Sequence, residues 1–334
     1  MSAWRVEESA RPGSAAPPDD MDVAVLDDYQ AVAHSIVDWR SLGDGVRVEF
    51  LTEHLEGDAL IERLLNFEIV VAMRERTGFP APVLRQLPNL RLLVTTGMRN
   101  AAIDLGAARE AGVIVCGSEG LTWSTAELTW GLVIASARHL IVEEASMRAG
   151  GWQRTVGTDL SGRTLGLVGL GHLGARVARY GRAFDMRVVA WSPNLTVERA
   201  AEHGVTSLPK EELFRQADVI SIHMVLGRRT RGLITEADLR RMKPTSWLIN
   251  TSRGPLVQES GLIRALREGW IAGAAIDVYD TEPLPRDHEL RRLENTILTP
   301  HIGYVTHETY AHFFAGVLED IQAFLAGAPI RQLA

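Results

Sequence analysis

The chain has 334 residues, 46% of them hydrophobic, a formal net charge of −7 and a single cysteine. Its length exceeds what one hydrophobic core ordinarily organises, so two domains are expected. The mild acidity and the absence of a basic-aromatic cluster argue against nucleic acid and against anionic membrane surfaces; the apolar runs are too short and too interrupted by charge to span a bilayer; and Cys116 alone cannot build an intramolecular disulfide framework, which fits a reducing, cytoplasmic setting.

In chain order, residues 1–20 mix Arg, Glu, Ser, Ala and Pro without the apolar core of a signal peptide, and read as a disordered tail. Order begins with a strand over 23–26. Further strand-like runs at 69–73, 92–95 and 113–116 alternate with helical patterns at 59–66 and 101–111, which argues a parallel α/β sheet. Cys116 falls in the last of these strands, where buried packing is its default role. A long helical segment over about 125–149 leads into a second series, with strands at 164–168, 186–191, 219–223, 246–250 and 274–277. A final helix over about 307–325 is expected to pack back on the first unit. The chain would then cross between domains twice, which places a ligand cleft at the crossings.

The most informative stretch is Gly166-Leu-Val-Gly169-Leu-Gly171-His172-Leu173-Gly174, an apolar strand feeding into G-x-G-x-x-G and then into a helical pattern. That order is the dinucleotide-binding fingerprint. Gly169 makes the tight turn, Gly171 lets backbone approach a pyrophosphate, Gly174 lets helix pack on strand, and the helix N-terminus faces the negative charge. His172 occupies a position that is normally variable in such loops, so packing or solvent contact is its expected role. About 20 residues on, where a carboxylate would bind the ribose hydroxyls, stands Ser192. No arginine directly follows it, so NAD and NADP both stay open; Arg199 reads as a solvated helix residue.

In an open α/β sheet, ligands gather outside the carboxyl ends of strands. The polar residues at such positions are Asn250-Thr251-Ser252-Arg253-Gly254, Asp277, Thr281-Glu282-Pro283 and Thr299-Pro300-His301-Ile302-Gly303. Of the ten histidines only His301 follows a strand behind Thr-Pro and ahead of Ile-Gly, which singles it out for proton transfer. Residue types alone leave Arg253 and Glu282 equally open to a structural ion pair across a loop.

The ordered set Thr96-Gly97-Met98-Arg99, the glycine fingerprint, Ser221-Ile-His-Met224, Asn250 to Gly254, Ala275-Ile-Asp277-Val278, Glu282-Pro-Leu-Pro285 and Pro300-His301-Ile-Gly303 resembles the D-isomer-specific 2-hydroxyacid dehydrogenases, the family of D-3-phosphoglycerate dehydrogenase and glyoxylate or hydroxypyruvate reductases. The resemblance runs from about residue 22 to the C-terminus. It implies two Rossmann-like parallel-sheet domains: a flavodoxin-like substrate domain over 21–118 and 304–334, and an inserted NAD(P)-binding domain over 119–303. It implies hydride transfer between NAD(P) and a small D-2-hydroxy acid or its 2-keto acid. Arg253 matches the arginine whose planar fork holds the substrate carboxylate and carbonyl. His301 matches the general acid/base, a residue type whose ordinary pKa of about 6.5 suits proton exchange near neutral pH. Glu282 matches the carboxylate that fixes the imidazole's tautomer and favours its protonated form, so that its loss should shift the pH profile more than abolish turnover. Asp277 matches the residue on the nicotinamide side of the cofactor.

By the same resemblance, the cofactor site takes in Gly169, Gly171, His172, Leu173, Gly174, Ser192, Val225, Leu226, Thr230, Thr251, Ser252, Arg253, Asp277, His301 and Gly303, and the substrate site Gly97, Met98, Arg99, Arg74 and Arg253. No metal is implied. Three residues depart from the family pattern: Arg99 stands where a second glycine is usual, Val225 where proline is frequent, and Tyr304 where glycine is frequent. A formate dehydrogenase-like enzyme shares the expected fold, but that branch usually has glutamine in place of Glu282. A noncatalytic NAD-sensing module like the superfamily's corepressors is the other alternative, although nothing here looks like a partner-binding extension. Relatives generally dimerise through the nucleotide-binding domain; the apolar segment from Trp123 to Ile134 with Trp152 would suit a homodimer interface, or equally a helix buried within its own domain.

Overall fold

A computed structural model describes residues 20–333, so the expected N-terminal tail lies, but for Asp20, outside the described residues. The chain divides into two compact units, one of residues up to Gly120 together with those from Tyr310 on, the other Leu121–Thr309.

In the first unit β1 (Met21–Val25), β2 (Val46–Phe50), β3 (Ile69–Ala72), β4 (Leu92–Thr96) and β5 (Ile114–Ser118) form one parallel sheet. Its order is β2-β1-β3-β4-β5, the flavodoxin-like arrangement. β3 and β4 are buried on both faces, as the unbroken apolar runs of central parallel strands require. β2 adds to the expected strands; it is an edge strand, and its Val-Arg-Val-Glu-Phe alternation leaves every second side chain in solvent. The helix expected over 101–111 starts later, at Leu105, because Ile103 bridges to Phe79 and the Asp104 side chain caps the Ala107 N–H. Cys116 is fully buried and its thiol is pushed up to about 12 by that burial, which makes it inert. The helix His307–Leu325 delivers Phe314 onto Trp39, rings 5.7 Å apart, so its later turns pack into this unit as expected.

The second unit holds β6 (Thr164–Val168), β7 (Arg187–Trp191), β8 (Thr206–Ser207), β9 (Val219–Ile222), β10 (Trp247–Asn250), β11 (Gly273–Ile276) and β12 (Thr296–Leu298). All run parallel in the order β12-β11-β10-β9-β6-β7-β8. The chain grows first to one side of β6 and then to the other, so the switch point between β6 and β9 opens the crevice of a doubly wound fold. The single long helix expected over 125–149 is two, Ser124–Arg138 and Leu140–Arg148, because His139 adopts a left-handed conformation with φ 51°. The first of them buries Ala126, Trp130, Leu132 and Val133 within its own unit, so the apolar run from Trp123 to Ile134 is largely consumed as core. Among the described residues no helix is long and apolar enough to cross a membrane.

The glycine turn rests on the end of β9. Gly169, at φ 102°, lies so close to the His223 carbonyl that a Cβ would collide with it. The His223 N–H donates to Val168 O at 2.7 Å, and its Nε2 pairs with Ser221 Oγ at 2.9 Å. Burial holds the His223 imidazole down to about 4. A histidine with a folded pKa below its unfolded value keeps its full stability contribution above about pH 6.5 and loses it as pH falls toward 4, at up to about 1.4 kcal/mol per pH unit. The resistance of the native protein to urea is expected to fall as pH drops from 6.5 to 4, and His223→Gln to flatten that slope; equal slopes would contradict the assignment.

Candidate active site

Four parallel strands end level at one edge of the second sheet. Asn250 of β10 pairs in register with Ile276 of β11 and with Ile222 of β9, and Ile276 pairs with Leu298 of β12. The residues just past these ends are therefore neighbours: Asp277 N donates to Asn250 O, and Thr299 N to Ile276 O. This level edge brings the loops carrying Arg253, Asp277, Glu282 and His301 side by side, although His301 lies 48 positions after Arg253 in the chain.

His301 Nδ1 lies 2.6 Å from Glu282 Oε2. The other carboxylate oxygen of Glu282 accepts from the Tyr279 N–H at 2.8 Å, so the glutamate is itself held in place. A carboxylate on Nδ1 selects the tautomer that keeps a proton there and leaves Nε2 as the exchanging nitrogen. His301 has φ 53°, a conformation that costs a non-glycine residue free energy. The Asp277 carboxylate, with no exposed surface, offsets that cost. It accepts from Thr299 Oγ1 at 2.6 Å and from the Ile302 and Gly303 N–H groups at 2.9 Å each. Burial raises the Asp277 carboxyl above the ordinary range, and those three donors oppose the rise. The resemblance assigns Asp277 to the nicotinamide; here both of its oxygens are engaged by the His301 loop. Tyr304 sets its ring edge-on to the imidazole, centroids 5.3 Å apart.

The Arg253 loop is tied to its own strand and to the next. Ser252 N donates to Asn250 Oδ1, Asn250 Nδ2 to Arg253 O, and Ser252 Oγ to Ile222 O at the end of β9. Thr251 Oγ1 meets Thr129 Oγ1 at 2.7 Å. Arg253 Nη1 donates to Ser252 O. Beyond it, Gly254 lets the backbone press directly onto the Tyr279 peptide, where any Cβ would clash. The arginine loop thus touches the loop that orients Glu282.

The fingerprint residues take the places expected of a pyrophosphate cradle. Helix His172–Ala183 starts at Gly171 with no side-chain cap, and nothing approaches the open side of Gly171 within 4 Å. The first-turn N–H groups of His172, Leu173 and Gly174 are thereby offered to an anion. Leu226 is half-buried, and the loop it begins is pinned by Thr230, whose Oγ1 donates to Val225 O and accepts from the Gly227 N–H. The residues present therefore fit a bound dinucleotide. Among the described residues no group of three or more His, Cys, Asp or Glu side chains could hold a metal ion.

In the first unit Gly97 follows β4 at φ 115°, with Met98 and Arg99 exposed beyond it. Gly97 N is committed to Ser118 O. Arg74, after β3, lies across Gly97, donates from Nη1 to Thr96 O at 3.1 Å and sits 3.7 Å from the Glu75 carboxylate. It is woven into its own loop rather than held out as a solvated cation.

Sequence reasoning missed Tyr279 and Thr125. The Tyr279 hydroxyl donates to Thr299 O at 2.9 Å, and Thr125 Oγ1 donates to Gly303 O at 3.0 Å. Thr299, by contrast, stands among the polar strand-end residues that the sequence singles out, directly after β12.

Residues 130–303 match the family model described as D-isomer specific 2-hydroxyacid dehydrogenase, NAD binding domain. The chain is 39% identical over 255 residues to a glyoxylate reductase of Aeropyrum pernix, covering 73% of this chain and 76% of that protein. It is 34% identical over 291 residues to a D-3-phosphoglycerate dehydrogenase of Archaeoglobus fulgidus, covering 86% of this chain and 55% of that one. The crystal structure of a phosphoglycerate oxidoreductase from Vibrio cholerae superposes with a TM-score of 0.88 at 37% identity, covering 92% of this chain and all of that one. On the level strand ends, the glycine cradle and these likenesses together, the chain belongs to the D-isomer-specific 2-hydroxyacid dehydrogenase family of oxidoreductases.

Proposed function

We propose that the chain interconverts a small 2-oxo acid and its D-2-hydroxy acid, with Arg253, His301 and Glu282 as the working residues. The observation that carries this reading is the 2.6 Å pair of His301 and Glu282 at the strand edge that also bears Arg253. A bound nicotinamide dinucleotide supplies or takes up the hydride at the carbon next to the substrate carboxylate. Arg253 grips that carboxylate and the adjacent carbonyl oxygen through its planar fork and stabilises the negative charge growing on the oxygen. His301 gives the Nε2 proton to that oxygen during reduction and recovers it during oxidation. Glu282 holds Nδ1–H throughout, so the imidazole returns to the same tautomer after each turnover.

The level arrangement of the strand ends supports His301 over any other histidine as the proton carrier. His301→Ala is expected to lower kcat for glyoxylate or hydroxypyruvate reduction by about 10²–10⁴-fold while cofactor binding, followed by fluorescence, persists. Glu282→Gln keeps an acceptor for Nδ1–H and is expected to cost a smaller factor, about 10–100-fold. Unchanged turnover in His301→Ala would overturn the reading.

The chain forms a homodimer through its second unit. Helix Leu140–Arg148 and the segment after it expose Leu140, Ile141, Met147, Trp152 and Val156, with Trp152 at 68% and Val156 at 92% accessibility. Apolar side chains gathered on one stretch in this way mark an association surface. Ile141→Asp combined with Trp152→Asp is expected to yield a monomer by sedimentation velocity, and a dimer surviving both changes would place the interface elsewhere.

A further inference from the structure

The adenosine end of the dinucleotide site carries an arrangement of charge that the hydride chemistry does not use. Val168 of β6 pairs in register with Trp191 of β7 on one side and with Ile222 of β9 on the other. Gly169 N donates to Trp191 O, and His223 N to Val168 O. Three strands thus end level, with the glycine turn in the middle, Ser192 on one flank and the loop after His223 on the other. Neighbouring strands are about 4.8 Å apart, so the two flanks face each other across roughly two strand spacings. In a doubly wound fold this is where the ribose next to adenine lies, and its 2′ position is read by the residues just past the end of β7.

The segment after β7 is neutral. Ser192, Pro193, Asn194, Leu195 and Thr196 carry no charge, and the first carboxylate, Glu198, stands on the next helix. An NAD-selective site needs an acid at the strand end to accept from the 2′-hydroxyl, and that acid repels a 2′-phosphate. The opposite flank is strongly basic. From His223 to Thr235 there is no acidic residue, while Arg228, Arg229 and Arg231 fall within four positions. Arg228 and Arg229 form the apex of the turn closed by Gly227 and Thr230, in which Thr230 N donates to Gly227 O and Gly227 N to Thr230 Oγ1. Both side chains are exposed, and no ion pair among the described residues engages either. Lys210 stands 5.6 Å from the Trp191 ring centre at the β7 end but is committed to Asp238 and the Leu233 carbonyl. The strand order thus sets a turn carrying two exposed guanidiniums across the glycine turn from a strand end that lacks its acid, and guanidiniums are the side chains best suited to a phosphate monoester.

We propose that the nucleotide site selects a 2′-phosphorylated adenosine, and therefore NADP(H) over NAD(H), with Arg228 and Arg229 holding the 2′-phosphate and Ser192 donating its hydroxyl to it. The proposal rests on dinucleotide binding by the second unit and is independent of the roles given to Arg253 and His301. It is tested by calorimetry on the intact protein without substrate, with adenosine 2′,5′-bisphosphate and 5′-AMP as probes. The native protein is expected to bind the bisphosphate at least about 10-fold more tightly, a difference of about 1.4 kcal/mol. Arg228→Ala with Arg229→Ala should remove most of that advantage while 5′-AMP affinity moves by less than about threefold, and Ser192→Asp should reverse the preference. Steady-state kcat/KM with NADPH and NADH should show the same order. Equal affinity for the two probes, tighter binding of 5′-AMP, or a double variant that loses both probes alike would overturn the proposal. Loss of turnover with the probe preference intact would instead count against the hydride-transfer reading alone.

Discussion

The arrangement depends on one buried carboxylate. Asp277 directly follows β11 with no exposed surface, and its oxygens accept from Thr299, Ile302 and Gly303, the residues on either side of His301. Burying a charge is costly unless it is fully hydrogen-bonded, and these donors come from a loop that would otherwise have no reason to fold tightly over the strand end. The same bonds hold His301 in a left-handed conformation and so set the direction of its ring toward Glu282. Local strain is tolerated here because the surrounding hydrogen bonds over-determine the geometry.

Around that anchor, each loop borrows rigidity from its neighbour. The Tyr279 N–H orients Glu282, the Tyr279 hydroxyl ties down Thr299 O, and the Tyr279 peptide forms the floor against which Gly254 presses. The Arg253 loop is held by Asn250 from below and by the end of β9 through Ser252. Groups that act within a fraction of an ångström of a reacting centre need such support, because small misplacements cost large factors in rate. The parallel register supplies the coarse alignment and the loop bonds supply the fine one.

Much of this was legible in the amino-acid order, for a physical reason. Buried parallel strands need unbroken apolar runs, so β3, β4, β6 and β9 announce themselves, and the polar residues that terminate such runs can only lie at the sheet's edge. Glycines that must turn or admit close backbone contact stand out by spacing, as Gly169 and Gly174 do. The unread parts are those set by tertiary contact. Edge strand β2 is half polar, the break at His139 falls inside a segment that propensity alone would continue as helix, and the start of the helix at Leu105 is fixed by the Ile103–Phe79 bridge. Thr125 reaches Gly303 across 178 residues, a partnership that no local pattern encodes. Nothing local marks Arg228 and Arg229 either; only the strand order sets their loop across the glycine turn from Ser192.

A crystal structure with the oxidised cofactor and the inert 2-oxo acid analogue oxamate would show whether the level strand ends bring a guanidinium and an imidazole to one substrate oxygen. Arg253 and His301 Nε2 are both expected within about 3 Å of the analogue's carbonyl oxygen, with Glu282 still on Nδ1. An analogue bound beside the cofactor with His301 turned away from it, or held without Arg253, would rule that arrangement out.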